Sequence, residues 1–282
     1  MPLNTVFKTL YRNGDRIDRL WIICPFAGGS LSAFRSWMTL PADVLPPDSA
    51  VFLVTYPGRD HRMRDVPASS IAGLAAEIAG SFCDWYDNTA EIQPQQVIIC
   101  GHSMGAQVAY ETCRLINSFY TTSSPVSGLV ISACQAPHLS GRRLLSHLDD
   151  HNFIEQLSMI GGCSPALRDS PELLQLFLPM LRADFMATEG YGYPREASQT
   201  QRLNLPAVLL YGADDEEAWG AEVSQWQDWL SVIHQEPALK MQGDHFYISD
   251  SPVDFLIRVQ RYFDDGEQGI PTVTCVASTV TV

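Results

Sequence analysis

Positive charge is scarce in this sequence: 18 lysines and arginines face 32 aspartates and glutamates, a formal net charge of −14. Such a surplus of acid repels phosphate backbones and argues against a nucleic-acid binder. Long apolar runs are missing too. No stretch approaches the roughly 18 residues of a membrane span, and the opening MPLNTVFKTLYRNGD lacks the apolar segment of a secretion signal. The seven cysteines follow no framework spacing. Cys24 and Cys100 sit inside apolar runs, where a thiol acts as a small hydrophobe. There is no internal repeat, and no P-loop lysine follows Gly28 and Gly29. At 46% hydrophobic and 18% charged residues the chain is not disordered, and 282 residues suffice for one large domain with a substantial core. The expectation is a reduced, cytoplasmic enzyme with no membrane or nucleic-acid partner.

What is present is an alternation of two kinds of segment. Short continuous apolar runs at Leu20–Cys24, Val51–Thr55, Val97–Cys100, Leu129–Ser132 and Ala207–Tyr211 read as parallel strands covered on both faces. Pro237–Met241 is a weaker last strand. Between them Ser69–Asp87, Met104–Tyr120, Ala218–Ile233 and Pro252–Phe263 read as helices. The pattern implies an α/β fold with a mostly parallel, doubly wound sheet. One connection, between Ala133 and Ala207, is about 70 residues long, far more than a crossover needs. Within it, Asp149 or Asp150 can cap a helix running through Ile160 to Gly161-Gly162, and Pro171–Thr188 suits a second. A helical insertion over about 139–200 suggests a lid, with Phe153, Leu157, Leu174, Phe177, Leu178 and Phe185 covering a pocket. Residues 1–265 read as one domain, and Gly266–Val282 as a tail outside the core.

Gly101-His102-Ser103-Met104-Gly105 is a G-x-S-x-G. It follows a strand run and opens an apolar helix, the strand–turn–helix setting of a nucleophile elbow. Serine needs a base to become nucleophilic, and the base needs an orienting acid. In an α/β-hydrolase the chain order is Ser, acid, His, which leaves His234 and His245. His234 reads as a solvated histidine at a helix end, whereas His245 lies just beyond the last strand. After Tyr211-Gly212, both Asp214 and Asp215 reach the right loop; the usual spacing of three after the glycine selects Asp215. The end of the preceding strand, Ser132-Ala133-Cys134-Gln135-Ala136, holds no carboxylate. For the oxyanion, the backbone N–H of Met104 is one donor, and Ala27 in the loop after the first strand run is the second, with Phe26 one residue away.

Several motifs together resemble the type II thioesterases that accompany nonribosomal peptide and polyketide synthases. They are CPFAGGS at Cys24–Ser30, TYPGRD at Thr55–Asp60, GHSMGA at Gly101–Ala106, APH at Ala136–His138, FLPMLRADF at Phe177–Phe185 and GDHF at Gly243–Phe246. The similarity runs from Leu20 to Phe263 and is nearest to members from siderophore assembly lines. It implies an α/β-hydrolase fold and a serine thioesterase that clears stalled or aberrant acyl groups from the phosphopantetheine arm of carrier domains. That arm belongs to the partner, so no cofactor or metal of its own is expected. An ordinary esterase or acyltransferase on the same scaffold is the alternative, and a non-catalytic relative the third. The chain departs from the family at Asp244, where many members have a second glycine, and at Glu216-Glu217, where proline is common.

Other groupings have plainer readings. His147, Asp149, Asp150 and His151 have metal-like spacing, but the aspartates serve as helix caps. Arg59, Arg62 and Arg64 are either a solvated loop or a docking point for a carrier or its phosphate. The tryptophans, with Tyr191 and Tyr193, suit packing and the lid rather than a cofactor box. Cys83, Cys113 and Cys163 read as inert.

Overall fold

A computed structural model describes residues 5–89, 93–162, 170–233 and 238–264. His234, Cys163 and the 266–282 tail lie outside these. The apolar runs are strands: β2 (Arg19–Cys24), β3 (Ser49–Val54), β4 (Gln96–His102), β5 (Gly128–Ser132) and β6 (Leu203–Gly212). They pair in parallel in the order β3-β2-β4-β5-β6. Their unbroken hydrophobicity follows from burial on both faces. Leu20, Ile22 and Cys24 of β2 enter one hydrophobic cluster and Trp21 and Ile23 the other.

Two strands were not expected. β1 (Phe7–Arg12) runs antiparallel along β3, and its mixed FKTLYR composition suits an edge. The expected helix over Ala218–Ile233 is the clearest correction. That stretch forms one helical turn at Gly220–Val223, a 3₁₀ segment at Ser224–Asp228 and then β7 (Leu230–Ile233), parallel to the start of β6. The buried residues Val223, Trp226 and Trp229 recur every three positions, a spacing that 3₁₀ turns satisfy as well as an α-helix does. β8 (Leu239–Met241) pairs with the other end of β6.

Helix α1 (Ile71–Asn88) is capped by Ser70, whose hydroxyl accepts the Gly73 amide at 3.2 Å, and it buries Ile71, Leu74, Ile78 and Phe82. Helix α2 (Met104–Phe119) is buried along most of its length beneath the sheet. The insertion contains α3 (Asp150–Met159), capped by Asp149 and closed by Gly161 at φ +78°, and α4 (Pro171–Glu189), capped by Ser170. Phe153, Leu157, Met180 and Leu181 form a separate hydrophobic cluster with Leu174, Phe177, Leu178 and Phe185 packed on it. The insertion therefore covers chiefly itself. Helix α5 (Pro252–Gln260), shorter than expected, covers the opposite sheet face through Phe255, Leu256 and Val259.

Candidate active site

The site is built at the carboxyl ends of β2, β4, β5 and β6, where the loops of a parallel sheet gather. β4 ends at His102, α2 begins at Met104, and Ser103 between them has φ 55°, ψ −124°. A side chain held at positive φ on a sharp strand–helix turn is strained and projects away from both elements. Its amide donates to the Ser132 carbonyl at 2.8 Å, tying the turn to β5. A Cβ on Gly105 would lie 2.0 Å from the Cys24 carbonyl oxygen, so the first turn of α2 presses against the end of β2.

His245 and Asp215 come from the loops after β8 and β6. The His245 Nδ1 lies 2.9 Å from Asp215 Oδ2. The other carboxylate oxygen accepts the amides of Glu217 at 2.8 Å and Ala218 at 3.1 Å. Burial works to raise the Asp215 pKa, but the His245 hydrogen bond and charge, with those two amides, together hold it below the usual carboxylate value. Asp214 is exposed, and its amide donates to the Gly243 carbonyl at 3.0 Å. Asp244, the departure from the family pattern, accepts the Phe246 amide at 2.8 Å and so closes its own loop. Glu217 pairs with Arg143 at 2.8 Å.

A buried chain of hydrogen bonds behind His245 was not foreseen. The His102 Nε2 lies 2.6 Å from the His245 carbonyl oxygen, which can only accept, so Nε2 carries the proton. Nδ1 must then accept from the Ser132 hydroxyl at 2.8 Å, and Ser132 in turn accepts from Tyr247. Burial, aided by His245, lowers the His102 pKa to about 3, so the ring stays neutral. Chain order set His102 aside as a base, and nothing in its spacing points to Ser132 or Tyr247.

This neutral histidine has a pH signature. Its folded pKa lies below the ordinary 6.5, so between pH 6.5 and about 3 the unfolded chain binds the extra proton. Stability is then intact above 6.5 and falls on acidification, by up to about 1.4 kcal/mol per pH unit. Asp215, also depressed, adds its own loss only at more acid pH, below the ordinary carboxylate pKa of 3.8. Thermal unfolding of the wild type from pH 7 to 5 is therefore expected to show a falling Tm, and His102→Gln a flatter profile from a lower start. Parallel profiles would refute the assignment.

Ser103 and His245 open on one cleft of about 460 Å³, together with Gln135, His138, Arg143, Phe185, Glu189, Tyr191 and Tyr193. Tyr191 and Tyr193 donate to Glu111 at 2.9 and 3.0 Å and make one wall. His138 receives the Trp229 indole N–H on Nδ1 at 3.0 Å and gives its Nε2 proton to Gln225 at 2.9 Å, a structural role. Neither expectation for the arginine cluster holds for two of its members. Arg59 is buried against Asp184 at 2.7 Å, and Arg62 is largely buried against Glu77 at 2.6 Å; Arg64 is exposed. None of the described helices is long and apolar enough to cross a membrane.

A mostly parallel sheet, a serine on the strand–helix turn, and an Asp–His pair from two later loops define an α/β-hydrolase. Within that class, the chain belongs to the thioesterase domain family, whose model matches residues 21–261. It is 41% identical over 233 residues to the probable anguibactin biosynthesis thioesterase AngT of Vibrio anguillarum, covering 82% of this chain and 86% of that one. The thioesterase PikA5 of Streptomyces venezuelae is 32% identical over 81% of this chain and 75% of its own. Among solved structures, YbtT, a type II thioesterase from the yersiniabactin NRPS/PKS biosynthetic pathway, superposes with a TM-score of 0.81 at 41% identity, covering 92% of this chain and 98% of that one. RedJ, the thioesterase of the prodiginine pathway in Streptomyces coelicolor, gives a TM-score of 0.72 at 27% identity, covering 89% of each chain.

Proposed function

We propose that this thioesterase hydrolyses stalled or aberrant acyl groups carried as thioesters on the phosphopantetheine arm of nonribosomal peptide or polyketide carrier domains. The relatives from siderophore pathways favour a partner of that kind. Ser103 is the nucleophile, His245 the base and Asp215 the acid that orients it. The observation that carries this reading is the Asp215–His245 hydrogen bond in a histidine that shares one cleft with a serine on a strained elbow. YbtT has also been solved with a serine replaced by alanine, in keeping with a serine mechanism in the family.

In this mechanism the His245 Nε2 takes the proton of Ser103 as Oγ bonds to the thioester carbonyl carbon. The amides of Ala27 and Met104 hold the resulting oxyanion. Collapse breaks the C–S bond, and the imidazolium returns its proton to the leaving sulfur. With a free pKa of about 8.5, a thiol leaves more readily than an alcohol or amine. His245 then deprotonates water, which attacks the acyl-serine; acid is released and Ser103 regains its proton. The enzyme needs no cofactor of its own for this, and a cytoplasmic setting with its synthase fits the reading. The insertion over about 139–200 acts as a lid beside the cleft mouth.

The cleft must hold the end of the arm as well as the acyl group, so short acyl groups should be accepted best. Intact-mass spectrometry of one carrier domain loaded with acetyl or with a long, mature chain is expected to show acetyl leaving roughly tenfold faster or more. Equal rates would exclude an editing preference. Rapid cleavage of p-nitrophenyl esters with no release from the carrier would favour an ordinary esterase instead.

A further inference from the structure

We propose that Asp184 and Arg59 are positioning residues which clamp the oxyanion loop to α4 and hold Ala27 in its working place. The inference rests on the reading of Ala27 as an oxyanion donor. Asp184 lies in α4, 156 positions along the chain from Gly28, and is 1% exposed. Both of its carboxylate oxygens are committed to this loop and its neighbour. Oδ2 accepts the Gly28 amide at 2.7 Å, and Oδ1 accepts from the Arg59 guanidinium at 2.7 Å. A second guanidinium nitrogen of Arg59 donates to the Gly29 carbonyl at 3.1 Å. The Arg59 guanidinium lies 5.0 Å from the centre of the Tyr56 ring, and the Tyr56 hydroxyl donates to the Pro25 carbonyl at 3.1 Å.

The main chain of the loop is thus gripped at Pro25, Gly28 and Gly29, and its turn is closed by the Gly29 amide on the Phe26 carbonyl at 2.8 Å. Helix α4 rests directly on this turn. Gly28 has φ +76°, and a Cβ there would lie 2.7 Å from a Leu181 methyl. The Ala27 amide sits between these anchors and donates no hydrogen bond among the described residues. The neighbouring Gly28 amide is already taken by Asp184 and is lost to an oxyanion.

Charge gives Arg59 a second task. A bare carboxylate bonded to the next amide would oppose the negative charge that develops on the thioester oxygen. Arg59 neutralises it and, being buried, is not screened by water. The pair therefore supplies geometry without adding net charge. A core ion pair of purely structural value would change stability and leave the partition between kcat and KM alone.

The test uses the full chain, a carrier-bound acetyl thioester, and a trifluoromethyl ketone analogue of the pantetheine thioester, which forms an oxyanion on addition of the serine. Asp184→Asn keeps an acceptor for Gly28 but turns an N–H₂ towards Arg59. Asp184→Asn is expected to lower kcat roughly 10- to 100-fold with KM near the wild type. The ketone should lose affinity by the same factor. Asp184→Ala should lose more. If Asp184→Ala does not fold, the double variant Arg59→Met with Asp184→Leu, which fills the space without charge, should fold and turn over as slowly as Asp184→Asn. Wild-type kcat and ketone affinity in a folded Asp184→Asn or double variant would overturn the clamp. Ser103→Ala run alongside separates the two layers. If it is dead while the Asp184 variants stay fully active, only the clamp fails; if it retains turnover, the site reading fails and takes the clamp with it.

Discussion

Ser103→Ala is expected to fold as the wild type does and to lose thioester hydrolysis by about 10⁴-fold or more. Both halves of that expectation come from local structure. Alanine and serine carry the same Cβ, so the strain of φ 55° is unchanged by the substitution. The Ser103 hydroxyl makes no hydrogen bond among the described residues, and its amide keeps the bond to Ser132. No buried polar partner is orphaned. Tm should therefore stay within about one or two degrees of the wild type. The chemical loss is total for the covalent route, because no other hydroxyl stands on the elbow. Labelling by a fluorophosphonate should vanish with it. Substantial turnover in a folded Ser103→Ala protein would remove the nucleophile from the mechanism and with it the roles given to His245 and the two amides.

The parts of this fold that could be read from the sequence are those where burial leaves a local trace. β2 to β6 are continuous apolar runs because helices cover both of their faces, and their order of use along the chain already implied crossovers. β1 left no such trace: an edge strand pairing on one side mixes Lys8, Thr9 and Arg12 with apolar residues and looks like a loop. β7 was hidden by three-residue spacing that imitates a helix. The same distinction runs through the site. Ser103 was legible because a glycine-flanked turn between strand and helix has a strict local grammar. His245 followed from chain order and Asp215 over Asp214 from spacing after Gly212, and the structure joins the two by a hydrogen bond behind the cleft that His245 lines. The Arg59–Asp184 pair spans 125 positions, and two charges that far apart carry no sign in the sequence that they meet. The same holds for His102 and Ser132, which are joined only because β4 and β5 lie side by side in register.

Asp215→Asn and Asp214→Asn should differ by about 10³- to 10⁴-fold in kcat/KM, with the loss confined to position 215. The geometry makes the reason specific. One oxygen of Asp215 accepts the amides of Glu217 and Ala218, and these two donors will orient an asparagine so that its carbonyl oxygen faces them. The N–H₂ group is then left facing His245, 2.9 Å away in the wild type. A donor at that place forces Nδ1 to accept, which moves the ring proton to Nε2. In the proposed mechanism Nε2 is the nitrogen that takes the proton of Ser103, and once protonated in a neutral ring it cannot. Asp215→Asn thus preserves the shape of the loop and inverts the tautomer of the base. Asp214 is exposed and, among the described residues, engages its neighbour through the main chain alone, so Asp214→Asn should turn over like the wild type. His245→Ala removes the base outright and should be at least as slow as Asp215→Asn, with His234→Ala near the wild type. The measurement is kcat/KM on an acyl-carrier thioester beside the ring nitrogen shifts of ¹⁵N-labelled His245. A wild-type tautomer in Asp215→Asn, or a larger loss in Asp214→Asn, would move the acid to another residue.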